Sequence, residues 1–201
     1  MNDFERSLRN YYSAKQLSLI QKTKIGIAGA GGLGSNIAVC LVRSGFRDFE
    51  MIDFDVVVMK NLNRQYYFLE DVGKPKVKAL AERLKTINPD IMVKAERVRL
   101  SEENIGSYFR DRDIIFEAFD EAASKAWLLE QFGNDGTLLV FGSGMAGFGN
   151  QLEIKTRKIK NNIYIVGDGV TGVGSDNPPL APRVTACASL MASIAVESIL
   201  K

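Results

Sequence analysis

The chain has 201 residues, of which 46% are hydrophobic and 25% are charged, a length and composition typical of a single globular domain. Its 26 basic and 24 acidic residues give a net charge of +2, which argues against a nucleic-acid binder that works by bulk charge. It contains no histidine and two cysteines, which excludes histidine-based catalysis, histidine and four-thiolate zinc sites, and a disulfide framework.

The N-terminal residues and the cysteines bear on localisation. The first nine residues alternate in charge without an apolar run, so a secretory signal is not expected. We also expect that no stretch approaches the roughly 20 apolar residues of a membrane-spanning helix. Cys40 and Cys187 lie in apolar, helix-like segments and are interpreted as small core residues. These features predict a cytoplasmic protein with no membrane segment and no zinc.

Hydrophobic periodicity predicts alternating strands and helices along the chain. Apolar runs predict strands at 24–29, 49–54, 91–98, 113–119, 137–141, 151–156 and 163–166. Helical spacing predicts one or two helices in the first 20 residues and further helices at 33–44, 76–87, from Asp120 to Phe132, and 184–200. The alternation predicts an α/β fold, a Rossmann-like, doubly wound, mostly parallel sheet. An antiparallel pair joined by residues 158–162 extends it, and a C-terminal helix follows.

The whole chain is predicted to form one nucleotide-binding domain, since no segment is composed like a linker. Within it we distinguish an N-terminal helical segment at 1–22 and a Rossmann-like core at 24–142. The remainder, 150–201, holds the antiparallel strands and the final helix.

The turn between the first strand and its helix is rich in glycine, with the sequence Gly29-Ala-Gly31-Gly32-Leu-Gly34-Ser35. Glycines there let the backbone approach a phosphate, and the helix N-terminus supplies N–H donors. Asp53 ends the second strand, 24 positions after Gly29, where an acidic residue binds ribose hydroxyls. The pattern favours a nucleotide over a tight turn without a ligand, but it suits NAD as well as ATP.

Polar and charged residues downstream favour a triphosphate over a dinucleotide. The polar and charged residues that follow Asp53 in the chain are Asp55, Asn61, Asn63, Arg64, Gln65 and Lys76. A triphosphate carries about four negative charges and calls for arginine and lysine contacts, for which Arg64 and Lys76 are the candidates. Asp120, at the end of a predicted strand, is the candidate ligand for Mg²⁺.

Six segments in order carry a family resemblance over roughly residues 24–200. They are the glycine turn 29–35, Asp53-Phe-Asp-Val-Val57, Asn61-Leu-Asn-Arg-Gln65, Gly73-Lys-Pro-Lys76, Phe116-Glu-Ala-Phe-Asp120 and Ala181-Pro-Arg-Val184. Together they resemble the ThiF/MoeB/HesA family, relatives of the ubiquitin-activating enzymes. The short length and the Ala181-Pro-Arg-Val184 segment are most similar to compact ThiF-like members that adenylate the sulfur carrier of thiamine biosynthesis.

The resemblance implies roles for individual residues. Asp53 would bind the ribose, Arg64 and Lys76 the phosphates, and Asp120 the Mg²⁺, while Asn61 and Gln65 would line the nucleotide. It also implies a ubiquitin-like sulfur carrier ending in Gly-Gly, a separate sulfur donor, and a homodimer. In that dimer Arg6 or Arg9 would reach the neighbouring subunit's site.

Two features of many family members are missing from this chain, the paired Cys-x-x-Cys motifs and a reactive loop cysteine. Their absence disfavours a covalent thioester or acyl-disulfide step. Adenylation requires neither a cysteine nor a histidine, because a terminal carboxyl, with a pKa near 3.5, is already an ionised nucleophile at pH 7. The expected reaction is attack of that carboxylate on the α-phosphorus of ATP, giving an acyl-adenylate and pyrophosphate.

Other interpretations of the sequence remain open. The glycine-dense segment 142–149 is either a slot for a thin Gly-Gly tail or a loop that crosses the sheet closely. For the whole chain the alternatives are adenylation of a molybdopterin-type carrier, adenylation of a modified tRNA base, a dehydrogenase, and a non-catalytic module that binds ubiquitin-like proteins.

Overall fold

The structure is a computed structural model that describes residues 1–119, 122–149 and 153–201, without the side chains of 122–124. Its seven strands are β1 (Lys24–Ala28), β2 (Asp48–Ile52), β3 (Met92–Glu96), β4 (Ile114–Glu117), β5 (Leu138–Gly142), β6 (Lys155–Lys160) and β7 (Ile163–Gly167). They form one sheet in the order β3-β2-β1-β4-β5-β7-β6. Every neighbouring pair is parallel except β6 and β7, which are antiparallel. The predicted fold class is confirmed.

Helices cover both faces of this sheet. They are α1 (Asp3–Leu8), α2 (Ala14–Lys22), α3 (Gly32–Arg43), α4 (Lys76–Ile87), α5 (Glu102–Ile105), α6 (Ala122–Phe132) and α7 (Ala181–Leu200), with 3-10 turns at Met59–Asn61 and Leu69–Asp71. On one face Ile37 of α3 and Met191 of α7 pack in a core with Ile27 of β1. On the other face, Leu128 of α6 packs in a core with Ile115 of β4. Central strands buried on both faces explain the continuous apolar runs in the sequence.

Two of the predicted elements begin more than two residues away from the sequence-based expectation. Strand β6 occupies Lys155–Lys160, which overlaps the strand predicted at 151–156 only at its last two residues, while residues 151 and 152 lie outside the described residues. The polar residues 157–160 of β6 were mistaken for the turn that follows. All six of its residues are exposed, because β6 is the last strand of the sheet, and such a strand lacks the apolar signature of the others. Helix α7 begins at Ala181, with Pro182 in its first turn, where proline's missing N–H costs no hydrogen bond.

Helix α7 also corrects the expectation about membrane-spanning length. The helix has 20 residues, and an 18-residue window of it has a mean hydropathy of 1.4, so by length and composition alone it could cross a membrane. One side of the helix is buried in the core, including Val184, Cys187 and Ala195. A core helix passes the same length and composition test, and the burial of α7 accounts for its apolar sequence.

Candidate functional site

A cavity of about 700 Å³ opens where strands β1, β2, β4 and β5 end. Residues directly after these strands line it, as expected for ligand sites at the carboxyl edge of doubly wound sheets. The predicted site residues that line this cavity are Gly29, Gly31, Gly32, Asp53, Asp55, Arg64, Gln65 and Lys76. The fold therefore gathers residues separated by up to 47 positions into one site that is large enough for a nucleotide.

The glycine turn brings strand β1 and helix α3 into close contact. Gly29 has a φ of +103°, and a Cβ there would lie 2.7 Å from the Ala118 carbonyl oxygen. A Cβ on Gly34 would lie 1.8 Å from the Gly29 oxygen, so Gly34 is needed for packing and does not line the cavity. Among the residues that the structure describes, no side chain caps the first turn of α3 at Gly31. The N-terminus of α3 thus offers its backbone donors to an anion.

Asp53 connects the glycine turn to the segment that follows β2. Its Oδ2 accepts a 2.7 Å hydrogen bond from the Ala30 N–H, and its Oδ1 accepts one of 2.7 Å from the Asp55 N–H. The side chain is buried but lines the cavity. Each carboxylate oxygen has a second lone pair, so Asp53 is able to accept ribose hydroxyl donors as well.

Lys76 is a buried cation at the start of α4. Its Nζ lies 2.7 Å from Asp55 Oδ2, and its side chain is 7% exposed whereas that of Asp55 is 46% exposed. The lysine is held in place by its burial, while the carboxylate can turn toward solvent. A phosphate entering the cavity would then replace Asp55 as the partner of Lys76.

The segment 61–65 contains three of the predicted site residues, Asn61, Arg64 and Gln65, and each has different surroundings in the structure. The guanidinium of Arg64 donates to the Asn63 side chain at 2.8 Å, on the half-buried rim of the cavity. Gln65 is buried, and its Oε1 has no hydrogen-bond donor among the described residues. Asn61 is not among the lining residues: its Oδ1 accepts from the Val58 N–H at 3.0 Å, and its backbone oxygen accepts from the Gln65 N–H at 2.9 Å. Asn61 therefore positions Gln65.

Tyr67 links the two elements predicted to hold phosphates. Its hydroxyl donates to the Ala30 carbonyl at 2.7 Å, and it lies 3.3 Å from the carbonyl of Lys76. Burial, followed by the charges of Asp53, Asp71 and Asp55, raises the pKa of this phenol well above its usual value. Tyr67 consequently stays protonated and fixes the glycine turn against the start of α4.

Sequence reasoning missed two cations that line the cavity, Arg99 and Lys125. The guanidinium of Arg99 lies over the Phe54 ring, 3.6 Å from its centroid. Lys125, on α6, forms an ion pair with the buried Glu117. Their positions relative to the strands could have indicated these two cations. Arg99 follows β3, and Glu117, the partner of Lys125, ends β4, so both lie at the carboxyl edge of the sheet.

Two glycine-rich loops, 142–149 and 167–174, form the far wall of the cavity. They pass at backbone contact distance, since a Cβ on Gly167 would lie 1.8 Å from the Ser143 oxygen. Arg183 joins them: its Nη1 donates to the Gly149 oxygen at 2.5 Å, and its Nη2 lies 2.6 Å from Asp168 Oδ2. Segment 142–149 thus approaches the segment after β7 closely and lies in the cavity wall, an arrangement that leaves both interpretations of this segment open.

Asp168 organises the second of these loops. Its carboxylate accepts hydrogen bonds from the N–H groups of Val170 and Thr171 and from the Thr171 hydroxyl. Burial alone would raise its pKa, but the Thr171 and Val170 hydrogen bonds and the charge of Arg183 outweigh burial and lower it. Asp168 is thus ionised at neutral pH.

The predicted magnesium ligand, Asp120, lies outside the described residues. Among the described residues no group of three or more acidic or cysteine side chains is arranged to hold a metal ion. Magnesium is commonly held by one or two carboxylates together with substrate phosphates, so a dedicated cluster is not required.

Neither cysteine has the surroundings of a nucleophile. Burial raises the pKa of the Cys187 thiol to about 12, which keeps it protonated and unreactive at neutral pH. Cys40 is half-buried on α3, and it is not among the residues that line the cavity.

Arg6 and Arg9 lie at the opposite end of the molecule from the cavity of their own chain. Helix α1 is attached there through a 2.7 Å hydrogen bond between the side chains of Asn2 and Asn88. Glu5 forms an ion pair with Arg47, which directly precedes β2. Neither Arg6 nor Arg9 is among the residues that line the cavity of its own chain.

Comparison with known proteins gives one family match and several relatives. The family model described as the ThiF family matches residues 4–201. A tRNA threonylcarbamoyladenosine dehydratase of Haemophilus influenzae is 33% identical over 120 residues, 59% of this chain and 46% of that protein. A sulfur carrier protein adenylyltransferase of Thermus thermophilus is 34% identical over 125 residues, 62% of this chain and 46% of its own length. The alignments thus span less than half of each relative.

Several solved structures match almost the whole chain. One of them is the Escherichia coli tRNA N6-threonylcarbamoyladenosine dehydratase in complex with ATP, with a TM-score of 0.86 and 25% identity. The match covers 97% of this chain and 93% of that one. The arrangement of strands and helices is therefore shared from end to end.

Proposed function

Because this chain belongs to the ThiF family, we propose that it uses ATP to adenylate the C-terminal glycine carboxylate of a small ubiquitin-like sulfur carrier protein. The observation that carries the proposal is the single cavity that brings together the glycine turn, Asp53, Arg64 and Lys76. The products are a carrier acyl-adenylate and pyrophosphate.

The cavity has the groups that ATP requires. Its volume of about 700 Å³ lies within the usual range for ligand sites. The uncapped α3 N-terminus and Lys76 suit phosphate oxygens, and Asp53 suits ribose hydroxyls. Gln65 Oε1 is a buried acceptor that a ligand donor would satisfy, since unpaired buried polar atoms are costly. The solved relative in complex with ATP supports the same assignment.

The proposed chemistry rests on alignment and charge stabilisation. The carrier's carboxylate attacks the α-phosphorus, a P–O bond forms, and the bond to pyrophosphate breaks. Lys76 and Arg64 stabilise negative charge on the phosphoryl oxygens as it shifts toward the leaving group. No general base is needed because the nucleophile enters ionised.

We assign the magnesium ion to Asp120 by family resemblance. When bound, the ion would neutralise phosphate charge. The remaining contributions come from Lys76, Arg64 and the backbone donors of α3.

The carrier protein is preferred over tRNA as the acceptor for two reasons. The Thermus thermophilus relative is named a sulfur carrier protein adenylyltransferase, and the net charge of +2 gives little general attraction to nucleic acid. Thiamine biosynthesis is the preferred pathway because the Ala181-Pro-Arg-Val184 segment resembles that of compact ThiF-like members. We further propose that a separate sulfur donor consumes the adenylate, and that the protein acts in the cytoplasm as a homodimer.

The test is ATP–pyrophosphate exchange with Mg²⁺, measured with and without a Gly-Gly-ended thiamine carrier or molybdopterin carrier. Exchange that depends on a carrier is expected. Lys76→Ala should lower it about 100- to 1,000-fold, because one charge-stabilising donor is removed. Lys78→Ala, two residues along and exposed on the same helix, is the matched control and should retain full exchange.

Two outcomes would contradict the proposal. Exchange that is unchanged in Lys76→Ala would remove that lysine from the reaction. If neither the thiamine carrier nor the molybdopterin carrier supports exchange, the result would favour a second candidate function, which is adenylation of a modified tRNA base. That candidate is supported by the match with the Escherichia coli dehydratase over 97% of this chain, and is tested by supplying modified tRNA as acceptor.

A further inference from the structure

Two lysines that line the nucleotide cavity each form an ion pair with a carboxylate. Lys76 pairs with Asp55, and Lys125 pairs with Glu117. The two carboxylates differ in exposure, since the Glu117 side chain is 1% exposed whereas that of Asp55 is 46% exposed. Glu117 is also held by a 3.0 Å hydrogen bond that its Oε1 accepts from the Phe119 N–H. Of these two pairs, the one with Asp55 therefore has a carboxylate that is able to leave.

The surroundings of Asp55 fix its backbone and leave its side chain free to turn. Its N–H donates to Asp53 Oδ1 at 2.7 Å, and its carbonyl oxygen accepts from the Lys76 N–H at 3.0 Å. The next residue, Val56, forms a β-bridge with Pro75. Among the residues that the structure describes, the Asp55 carboxylate accepts one hydrogen bond, from Lys76 Nζ at 2.7 Å. Rotation about side-chain bonds is therefore sufficient to break the ion pair.

The Lys76 side chain, in contrast, is confined to the cavity wall. It is 7% exposed and belongs to the first turn of α4, where the Tyr67 hydroxyl lies 3.3 Å from the Lys76 carbonyl oxygen. A buried ammonium group without a partner is costly. Asp55 therefore supplies the compensating charge while the cavity holds no anion, and an anion that contacts Lys76 has to displace Asp55.

We propose that Asp55 is an exchangeable counter-ion of Lys76. It pairs with the lysine while the cavity is empty, turns away when the phosphates of ATP bind, and returns to the lysine as pyrophosphate leaves. This inference rests on the proposed function, in which Lys76 binds phosphate oxygens and pyrophosphate is a product. Asp55 is in this role a positioning residue, because it affects the reaction through Lys76.

Competition by Asp55 weakens the binding of every anion that contacts Lys76, because a charge-assisted hydrogen bond must be broken first. ATP has a further contact elsewhere in the cavity, where its ribose binds Asp53, whereas pyrophosphate and inorganic phosphate have only their phosphate contacts. The same loss of affinity therefore matters most for the small anions. Asp55 thus keeps free phosphates out of the empty cavity and promotes the release of pyrophosphate.

The test is Asp55→Asn, which preserves the size of the side chain and removes its charge. An amide holds a lysine less strongly than a carboxylate does, so the Kd values for pyrophosphate and for inorganic phosphate, measured by calorimetry, should each fall about tenfold. The Kd for adenosine, which has no phosphate, should stay within about twofold and shows that the variant is folded. Asp55→Glu retains the carboxylate and should keep the Kd for pyrophosphate within about threefold of the wild-type value.

Two further variants separate competition for Lys76 from a general change in charge. Glu82→Gln removes an exposed carboxylate of α4 that lies 3.4 Å from Lys74 and does not line the cavity, so the Kd for pyrophosphate should not change. In a Lys76→Met background Asp55 has no lysine for which to compete. Addition of Asp55→Asn to that background should therefore lower the Kd for pyrophosphate less than about threefold.

Two results would overturn the role of Asp55. One is a Kd for pyrophosphate that is unchanged or raised in Asp55→Asn, and the other is an equal decrease in the wild-type and Lys76→Met backgrounds. A failure of the wild type to bind ATP would instead contradict the proposed function. Wild-type binding of ATP, together with an unchanged pyrophosphate affinity in Asp55→Asn, would reject the counter-ion alone.

Discussion

The contact between Asp168 and Arg183 is a buried ion pair whose contribution to stability can be measured. Both side chains are 4% exposed, so removing one charge leaves the other in a poorly solvated position. We expect Asp168→Asn to lower the free energy of unfolding by about 3–5 kcal/mol, measured by urea denaturation. Asp111→Asn removes a carboxylate that is 60% exposed and should cost less than about 1 kcal/mol.

The same pair predicts a pH dependence. Because the pKa of Asp168 is lower in the folded protein than in the unfolded chain, its contribution is complete above the unfolded value of about 3.9 and is lost as pH falls through the folded pKa. The stability difference between the wild type and Asp168→Asn should therefore be largest near neutral pH and shrink below about pH 4. A difference that stays constant down to about pH 3 would contradict this assignment.

Single residues show which parts of the site a sequence can reveal. Asp53 and Lys76 were predicted because each belongs to a local motif with known spacing. Arg99 was not, since its role depends on the Phe54 ring, 45 positions earlier in the chain. The buried unpaired oxygen of Gln65 also depends on tertiary packing. Contacts between distant segments have no local sequence pattern.

At the scale of elements, the glycine-rich loop 167–174 offers a test of where the carrier tail lies. Gly172 lines the cavity, and a Cβ there would meet no atom of the described residues within 4 Å. Gly172 follows β7, which lies four strands away from β2, the strand that precedes Asp53. At ordinary strand spacing the two strands are roughly 19 Å apart, so Gly172 is distant from the proposed ribose site. We expect Gly172→Leu to reduce carrier-dependent exchange at least about tenfold by blocking the tail, with ATP affinity within about twofold.

Gly174 provides the control for this experiment. A Cβ on Gly174 also meets no atom within 4 Å, but this residue does not line the cavity. Gly174→Leu should therefore keep full exchange. Equal activity of the two leucine variants would show that the tail does not pass this loop.

Most elements were predicted to within about two residues, including the partly exposed strand β3, whereas β6 and α5 were not. The buried strand β5 was predicted at 137–141 and observed at Leu138–Gly142, because apolar runs follow burial. The exposed strand β6 was displaced, and the four-residue helix α5 was not predicted at all. Short or exposed elements are determined by their neighbours more than by their own composition.

At the scale of the whole molecule, the position of α1 predicts complementation between subunits. If Arg9 completes the partner's site, both Arg9→Ala and Lys76→Ala should be inactive separately. Mixing equal amounts under conditions of subunit exchange should restore roughly a quarter of wild-type exchange, because half of the dimers are mixed and each has one intact site. No recovery, with mixed dimers detected by mass spectrometry, would exclude this arrangement; Arg6→Ala is tested in the same way.

Tyr67 has a consequence for how a nucleotide binds. Its hydroxyl connects the Ala30 carbonyl to the start of α4, so the glycine turn and Lys76 are held in one rigid unit before any ligand arrives. The backbone of the glycine turn and of the start of α4 is therefore ordered when the protein folds. Nucleotide binding then does not have to order it, and the associated loss of conformational entropy does not weaken binding. The entropic cost of nucleotide binding should fall mainly on the rim side chains of Arg64 and Arg99, which remain outside this unit.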